Sequence, residues 1–214
     1  MNINKHTLEN NWVMWIHYIY DSDWSINSYK QICSFDTLEE LIKLNNFLNN
    51  NILSKLMIFY MKDNIKPIWE DINNKDGGSF SYKISNNLLE DVWKNLVYAL
   101  LGNTLSEDEN ILKNINGISI SPKKNYCIIK LWLANIENFK NTNIYEFINN
   151  SINNDLINND SINNDSINNE SINNESINNE SINNESINND PLEIHKICNI
   201  EKQLCIFKKH NTMY

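Results

Sequence analysis

The feature that most limits how this chain can fold is a run of eight pentapeptides across residues 151–190. Their type is Ser-Ile-Asn-Asn-Asp/Glu, with one variant that begins at Leu156. A period of five turns a helix by about 140° per repeat, and in a strand it sends successive isoleucines to opposite faces, so neither element can bury them. The sequence therefore predicts a disordered, acidic, Asn-rich insertion. A pentapeptide-repeat β-helix is the alternative, but an acid stands two residues before each Ile, where that fold takes a small residue.

The rest of the chain is large enough for one folded domain. Removing the 40 repeat residues from 214 leaves 174, which suffice for a single core. Residues 1–150 form the main part of the predicted domain. Residues 191–214 show alternation over 194–200 and 203–208, which predicts two strands that complete it. The repeat would then be a surface insertion, and such an insertion is tolerable because loop-closure entropy grows slowly with length.

The charge of the chain sits mostly in the repeat. The net charge is −9, and eight of the 27 acidic residues lie in the repeat, which leaves 19 acids against 18 lysines and a net charge of −1. This balance excludes a broad basic surface for duplex nucleic acid, so any nucleic-acid contact should be local. The chain has no arginine, and its excess of Asn, Ile and Lys is typical of coding in an AT-rich genome.

The cysteines and the hydropathy pattern predict a cytoplasmic protein. The four cysteines (Cys33, Cys127, Cys198 and Cys205) have no CxxC spacing, which favours reduced thiols over disulfides or zinc. The first residues carry no apolar segment, and no apolar run reaches 18 residues, so we expect neither a signal peptide nor a membrane span. We expect no cofactor.

The pattern of apolar residues predicts alternating strands and helices. The predicted strands are 11–20, 29–34, 56–61, 79–85, 115–121 and 126–133, with the last two joined as a hairpin. One predicted helix starts at 35–40, with Leu41, Leu44 and Leu48 toward the core and Leu38 and Ile42 partly exposed. A second carries a wide apolar face from Leu89 to Leu101.

A short run, Lys66-Pro67-Ile68-Trp69-Glu70-Asp71, carries the chemistry. Pro67 makes its surroundings extended or turn-like, and a loop can aim Trp69 and Glu70 at one place. An indole face beside a carboxylate suits a flat, cationic, hydrogen-bond-donating ring. Gly77-Gly78 is interpreted as the turn that leads into the next strand. The run is therefore predicted to form half of a pocket for a cationic base.

Other aromatic and basic residues can complete this pocket. Three tryptophans (Trp12, Trp15 and Trp93) fit core packing. Trp24, which follows a predicted turn, could sandwich one base with Trp69, and Trp132 lies at a strand end. Glu70 could accept two N–H donors of a guanine edge. Lys123, Lys124 and Lys130 are candidate phosphate ligands, although surface lysines are usually only solvating.

With these residues in place, the chain resembles the messenger-RNA cap-binding proteins of the translation initiation factor 4E family. The matching elements run in order over residues 6–134. They are His6 to Trp15, Trp24, Phe35-Asp36-Thr37, Pro67-x-Trp69-Glu70-Asp71-x-x-Asn74-x-x-Gly77-Gly78, Trp93 to Gly102, Gly117 and Trp132. An arginine-free, AT-rich member with a low-complexity insertion is typical of a large DNA virus or an AT-rich protist.

The resemblance implies a fold and a ligand. The fold would be α+β, a curved antiparallel sheet of eight strands with helices packed on its convex face. Trp24 and Trp69 would stack on 7-methylguanine, Glu70 would accept from its N1 and N2 hydrogens, the Trp69 N–H would meet O6, and Trp132 would lie against the methyl group. The partners would be capped mRNA and a scaffold initiation factor, with the protein a monomer within that complex.

The chain departs from the family pattern at the phosphates and at the partner face. One basic phosphate ligand falls on Lys123, but a second falls on Ile128 and a third on Ser79, so Lys130 or Lys124 would have to compensate. The family docks a Tyr-x-x-x-x-Leu-hydrophobic helix on the convex face. Here that face comprises His6, Leu38, Ile42 and Tyr98, with Ile42 replacing an exposed tryptophan.

Three functions stay open at this point. The first is a non-enzymatic cap-binding translation initiation factor. The second is a cap-competing repressor that does not engage the scaffold. The third is a cap-processing enzyme. A decapping hydrolase needs an acid cluster that ends in Arg-Glu, and a methyltransferase needs a Gly-rich nucleotide loop after a strand; both signatures are missing.

Overall fold

The computed structural model describes residues 5–142, 144, 190–199 and 205–210. Within them the chain forms one curved antiparallel sheet of seven strands in the order β2-β1-β3-β5-β6-β4-β7. The strands are β1 (Thr7–Tyr18), β2 (Lys30–Thr37), β3 (Leu56–Lys62), β4 (Gly78–Ser85), β5 (Ile115–Pro122), β6 (Tyr126–Leu133) and β7 (Cys205–Lys209). The helices are α1 (Leu38–Phe47), α2 (Asn50–Leu53), α3 (Leu89–Leu101), α4 (Glu109–Lys113) and α5 (Ile194–Cys198), with 3-10 turns at Ile26–Ser28 and Ile136–Phe139.

Strand β1 is buried on both sides, as its sequence predicts. Trp12 and Met14 face the main core, while Trp15 packs against a second cluster. The strand pairs with β2 along one edge and with β3 along the other. Alternate residues of one central strand therefore supply both faces of the sheet.

The helices pack on one face of the sheet and close the main core. Helix α3 contributes the most, because its apolar residues recur at helical spacing; the buried ones are Leu89, Val92, Trp93, Leu96, Val97, Leu100 and Leu101. Trp93 contacts Tyr60 of β3, with ring centroids 5.5 Å apart. Leu41 of α1 is fully buried, whereas Leu38 and Ile42 are exposed. The predicted α+β class and the predicted faces of both helices are confirmed.

The other face of the sheet carries a smaller aromatic cluster. Tyr29, Phe59, Met61 and Trp132 are buried there, with Trp15, Ile26, Met57, Ile65 and Ile68 packed around them. No helix of the described residues belongs to this cluster except the short turn that contains Ile26. We call this side the open face.

The C-terminal segment differs from its prediction. The stretch 194–200, expected as a strand, begins instead with helix α5, so the described sheet has seven strands rather than eight. Ile194, Ile197 and Cys198 fall at i, i+3 and i+4, and all three pack on the main core. This spacing fits a helix as well as an alternating strand, and the packing decides between them.

The repeat lies outside the described residues, except for its last acid. Asp190 is buried, and its carboxylate accepts from the backbone N–H of His195 at 3.1 Å and lies 3.0 Å from Nδ1 of the same residue. Strand β7 follows and pairs with β4 at the sheet edge. None of the described helices is long and apolar enough to span a membrane.

Candidate functional site

Trp24 lies in the loop after β1 and is 56% exposed. Two turns built on aspartates hold this loop: Asp21 accepts from the N–H of Asp23, and Asp23 accepts from the N–H of Ser25. One face of the indole is stacked on the imidazole of His17, with centroids 4.6 Å apart and planes 10° apart. His17 is fully buried and donates from Nε2 to the Asp23 carbonyl at 2.8 Å. The other indole face is therefore the one available to a ligand.

The loop that carries Trp69 and Glu70 is held from inside by Asn74. This buried asparagine donates its side-chain amide to the carbonyl oxygens of Lys66 and Ile68, at 2.9 Å each. Its own side-chain oxygen accepts from the amide of Asn116 at 3.0 Å. The two carbonyls flank Pro67, which lacks an N–H of its own. The asparagine side chain therefore adds a second donor to two carbonyls that also accept from the backbone N–H groups of Ile68 and Asp71.

The two glycines after the loop are required for close approach rather than for a turn. No glycine of the described chain has a positive φ. A Cβ on Gly77 would lie 1.9 Å from the Leu133 carbonyl oxygen, and one on Gly78 would lie 2.5 Å from the ring of Phe207. The pair leads from a turn into β4, which begins at Gly78. Glycine is required there because packing against β6 and β7 excludes side chains.

Trp69 also rests on a buried histidine. Its indole is 37% exposed and stacks on His210, with centroids 5.6 Å apart and planes 13° apart. His210 is buried, donates from Nδ1 to the Asn74 carbonyl at 2.9 Å and from its backbone N–H to the Gly77 carbonyl at 3.0 Å. Burial lowers the pKa of this imidazole to about 4, and the charge of Lys130 acts in the same direction.

Glu70 presents an unpaired carboxylate. It is exposed, and it makes no hydrogen bond or ion pair to the residues that the structure describes. Burial, and to a smaller extent the negative charge of Glu70, raise the pKa of the Tyr29 phenol to about 12. The same charge acts to raise the pKa of His210, against the larger effect of burial. The carboxylate therefore retains its full acceptor capacity.

A row of aromatic rings joins the two tryptophan sites. His17 contacts Tyr29, Tyr29 contacts Phe59, and Phe59 contacts Trp132, at centroid distances of 4.7, 5.4 and 6.2 Å. Trp132 then contacts His210 at 5.1 Å. Trp132 is only 3% exposed and donates from Nε1 to the hydroxyl of Ser119 at 2.9 Å. Trp24 and Trp69 thus lie at the two ends of one aromatic floor.

Lysines collect beside Trp69. The ammonium groups of Lys130 and Lys208 lie 5.7 and 5.6 Å from the centre of its ring. Burial chiefly, then the charges of Lys208 and Lys123, lower the pKa of Lys130. No carboxylate forms an ion pair with any of these three lysines in the described part of the chain. Lys124 is exposed beside Lys123 on the β5–β6 turn. This cluster is suited to an anion.

The arrangement of stacking indoles, a free carboxylate and clustered lysines can be compared with known proteins. A family model described as "Eukaryotic initiation factor 4E" matches residues 7–186. The chain belongs to the eukaryotic initiation factor 4E family. A homolog of this factor from Acanthamoeba polyphaga mimivirus is 28% identical over 131 residues, which cover 50% of this chain and 48% of that protein.

Two further 4E proteins extend the comparison. The initiation factor 4E of Dictyostelium discoideum is 30% identical over 148 residues, covering 66% of this chain and 57% of that protein. Ascaris suum eIF4E-3, solved as a complex with m7G cap, is 26% identical with a TM-score of 0.56, covering 67% of this chain and 82% of that one. The matches therefore span about half to three fifths of the length of the two curated relatives.

The residues predicted by the resemblance to form a partner face lie on the helix side of the sheet. His6 is exposed and lies 2.7 Å from a Glu39 carboxylate oxygen, and its carbonyl accepts from the Leu38 N–H at 2.9 Å. Leu38 and Ile42 are 36% and 39% exposed and lie one turn apart on α1. Tyr98 of α3 is half-buried against the main core. The structure thus joins His6 directly to the start of the helix that carries Leu38 and Ile42.

Three residues of the site were missed by sequence reasoning. His17 stood in a strand that was explained by core packing, and His210 and Lys208 follow the repeat, where the 4E resemblance fades. Strand register supplies the missing signal. Lys208 pairs with Ser79, which pairs in turn with Trp132, so these three residues share one row across β7, β4 and β6.

Proposed function

We propose that this chain binds the 7-methylguanosine cap of mRNA and acts as a translation initiation factor that recruits capped mRNA to the ribosome. The observation that carries the proposal is the pair of exposed indoles, each backed on one face by a buried imidazole, at the two ends of the aromatic floor. Each indole therefore keeps one face on which a flat ring can stack. The complex of Ascaris suum eIF4E-3 with m7G cap supports this choice of ligand.

In the proposed complex the base stacks between Trp24 and Trp69. Stacking on an aromatic side chain contributes about 1–3 kcal/mol per base. Methylation at N7 makes the guanine cationic, and the negative indole faces add electrostatic attraction to it. A base without this charge keeps the stacking area but loses that attraction, so methylated guanine is preferred.

In this proposal Glu70 recognises the hydrogen-bonding edge of the guanine base. Its unpaired carboxylate can accept the N1 and N2 hydrogens of guanine together, a bidentate and charge-assisted contact. The backbone N–H of Trp69 has no acceptor among the described residues and can donate to O6. Adenine has an acceptor at N1 and is rejected, because it would face the carboxylate with like polarity. Trp132 is nearly covered, so only its edge reaches the methyl group.

The phosphates of the cap are assigned to the lysine cluster. Lys130 and Lys208 lie beside Trp69, and Lys123 acts on Lys130 from the β5–β6 turn. A triphosphate placed there would relieve the repulsion among the three ammonium groups. Lys208 thus takes the place of a basic residue that the resemblance locates at Ile128. Lys124 is exposed and would serve as an outer ligand.

The partner is proposed to be a scaffold initiation factor of the 4G type. Leu38 and Ile42 form an exposed apolar stripe next to His6, and Tyr98 belongs to the same candidate surface. Ile42 is smaller than an indole, so the partner helix is expected to carry a larger side chain opposite it. A repressor that binds caps without this partner is the second candidate, favoured by the missing indole.

We infer that the protein works by binding and performs no chemical step. The 4E family to which the chain belongs supports this inference. The proposed cytoplasmic location follows from the role in initiation.

Retention on immobilised 7-methyl-GDP tests the proposal. The protein should bind the resin and be released by free 7-methyl-GTP but not by the same concentration of GTP. Release by both nucleotides would contradict recognition of the cap. Capture of a scaffold peptide by the retained protein then separates the initiation factor from the repressor.

A further inference from the structure

His17 links β1 to the loop that presents Trp24. Its imidazole stacks on the indole and its Nε2 donates to the carbonyl of Asp23, the residue directly before Trp24. A carbonyl oxygen only accepts, so Nε2 must carry the ring hydrogen. The other nitrogen, Nδ1, is buried without a hydrogen-bond partner among the described residues.

His210 repeats this arrangement at the other end of the floor. Its imidazole stacks on Trp69, and its Nδ1 donates to the carbonyl of Asn74, inside the loop that carries Trp69. Its remaining nitrogen, Nε2, is buried and likewise has no partner in the described chain. His17 lies in β1 and His210 directly follows β7, yet each stacks on one exposed indole and donates to one carbonyl of that indole's own loop.

Core packing alone does not explain these two histidines. A phenylalanine of similar shape would stack as well and would leave no buried ring nitrogen without a partner, which is a destabilising feature. What an imidazole adds is one N–H donor aimed at a loop carbonyl. That contact fixes the loop relative to the ring on which the indole rests.

We propose that His17 and His210 are positioning residues that hold the two indoles of the site flat and parallel before the base arrives. The inference rests on the proposed function, because it assigns to both imidazoles a role in base binding. Held indoles lose less side-chain freedom when the ligand binds, and this improves affinity without a new contact to the ligand. The effect is confined to ligands that stack between them.

This role has a signature that a merely structural role lacks. Charge attraction between the stacked base and the indoles increases the affinity for 7-methyl-GTP only. The phosphates contribute equally to the affinities for 7-methyl-GTP and GTP. If the imidazoles only stabilised the fold, their loss would lower the fraction of active protein and leave the ratio of the two affinities unchanged. If they position the indoles, their loss lowers the affinity for 7-methyl-GTP more than that for GTP, because GTP loses only stacking whereas 7-methyl-GTP also loses charge attraction to the indole faces.

The test uses the full chain with His17→Phe and His210→Phe, which keep a ring and remove the N–H donor. His195→Phe is the control, since it also loses a hydrogen-bonded imidazole but contacts Asp190 rather than an indole. Affinities for 7-methyl-GTP and GTP are measured by calorimetry on protein shown to be folded by circular dichroism. Each site variant should lower the ratio of the two affinities by about tenfold, the value of one typical hydrogen bond, and the control should not change it.

The outcomes separate the two claims. A wild-type protein that prefers 7-methyl-GTP, with site variants that keep the full ratio, would overturn the positioning role and leave the proposed function intact. A folded wild-type protein without that preference would overturn both. If a phenylalanine variant fails to fold, the corresponding glutamine variant, His17→Gln or His210→Gln, replaces it. The glutamine amide retains a hydrogen-bond donor but removes the ring on which the indole stacks. The ratio of the two affinities should therefore fall in the glutamine variant as well.

Discussion

Asn74 and His210, 136 residues apart in the chain, meet where the imidazole Nδ1 donates to the asparagine carbonyl at 2.9 Å. The same asparagine ties the two carbonyls around Pro67 with its side chain. One residue therefore connects the inside of the Trp69 loop to the C-terminal segment. The loop is ordered by a buried polar network, and each bond of that network can be removed separately.

Asn74→Ala should destabilise the protein and loosen the Trp69 loop. The substitution removes the side-chain donor from the carbonyls of Lys66 and Ile68 and one of the two acceptors of the Asn116 amide. Loss of such a buried network typically costs about 2–4 kcal/mol in the free energy of unfolding. Urea denaturation of the variant and the wild type measures this difference in the free energy of unfolding. Asn73→Ala is the matched control, because the Asn73 side chain makes one exposed hydrogen bond, to Asp71, and equal losses in the two variants would refute the network.

Lys130→Gln and Lys208→Gln should weaken binding of phosphates rather than of the base. Each substitution is expected to reduce affinity for 7-methyl-GTP by about 3–10-fold and to lower the slope of log K against log salt by about one. Affinity for the 7-methylguanosine nucleoside should change little. Lys209→Gln, which is exposed and points to the other side of β7 than Lys208, is the control. An equal loss of affinity for the nucleoside would mean that these lysines contact the base rather than the phosphates.

Stability should fall below pH 6.5 because of His210. Its folded pKa is about 4, lowered by burial and by Lys130, while the Asn74 hydrogen bond and Glu70 act in the opposite direction. The unfolded value is about 6.5, so between pH 6.5 and 4 the unfolded chain binds a proton that the folded chain does not. Stability is therefore fully present above about pH 6.5 and decreases by up to about 3 kcal/mol as the pH falls to 4.

Urea denaturation of the wild type and of His210→Phe, from pH 7 to pH 4.5, measures this contribution. Carboxyl groups titrate in the same range in both proteins, so the difference between the two curves isolates His210. The wild type should lose more stability than the variant on acidification. Parallel curves would mean that His210 is not buried in its unprotonated form.

Ile42→Glu should abolish binding of a scaffold peptide while leaving cap binding intact. Ile42 and Leu38 expose an apolar stripe on α1, and a carboxylate placed there would oppose an apolar helix. Capture of a helical peptide with the Tyr-x-x-x-x-Leu-hydrophobic pattern is the measurement. Lys43→Glu, at the next position of the same helix, is the control for added charge. A wild-type protein that binds caps but ignores the peptide would favour the repressor.

Much of the fold could be predicted because its signals are local. The run of aromatic and β-branched residues in β1 and the helical spacing in α3 each lie within one element. The run from Lys66 to Asp71 was recognisable for the same reason, since proline, indole and carboxylate are adjacent. A local signal is ambiguous when the element is short. The sequence of α5 predicts a strand, because five residues do not distinguish the period of a helix from that of a strand.

The histidines and Lys208 could not be predicted, because strand register assembles them. Lys208 reaches the site only through the pairing of β7 with β4, and His210 follows two residues later on the same side. The reason for a glycine at position 77 could not be predicted either, since its constraint is the carbonyl of Leu133 on a strand far along the chain. Residues that act through neighbours from other strands leave no pattern in their own segment.

A fluorescence titration of the folded protein with 7-methyl-GTP and with GTP tests the central claim most directly. Trp24 and Trp69 are both exposed, so a base stacked on them should quench tryptophan emission strongly. The account predicts saturable quenching by 7-methyl-GTP with an affinity at least about 100-fold above that for GTP, a difference of about 3 kcal/mol. Absence of quenching, or equal affinity for the two nucleotides, would contradict a site built for a cationic base.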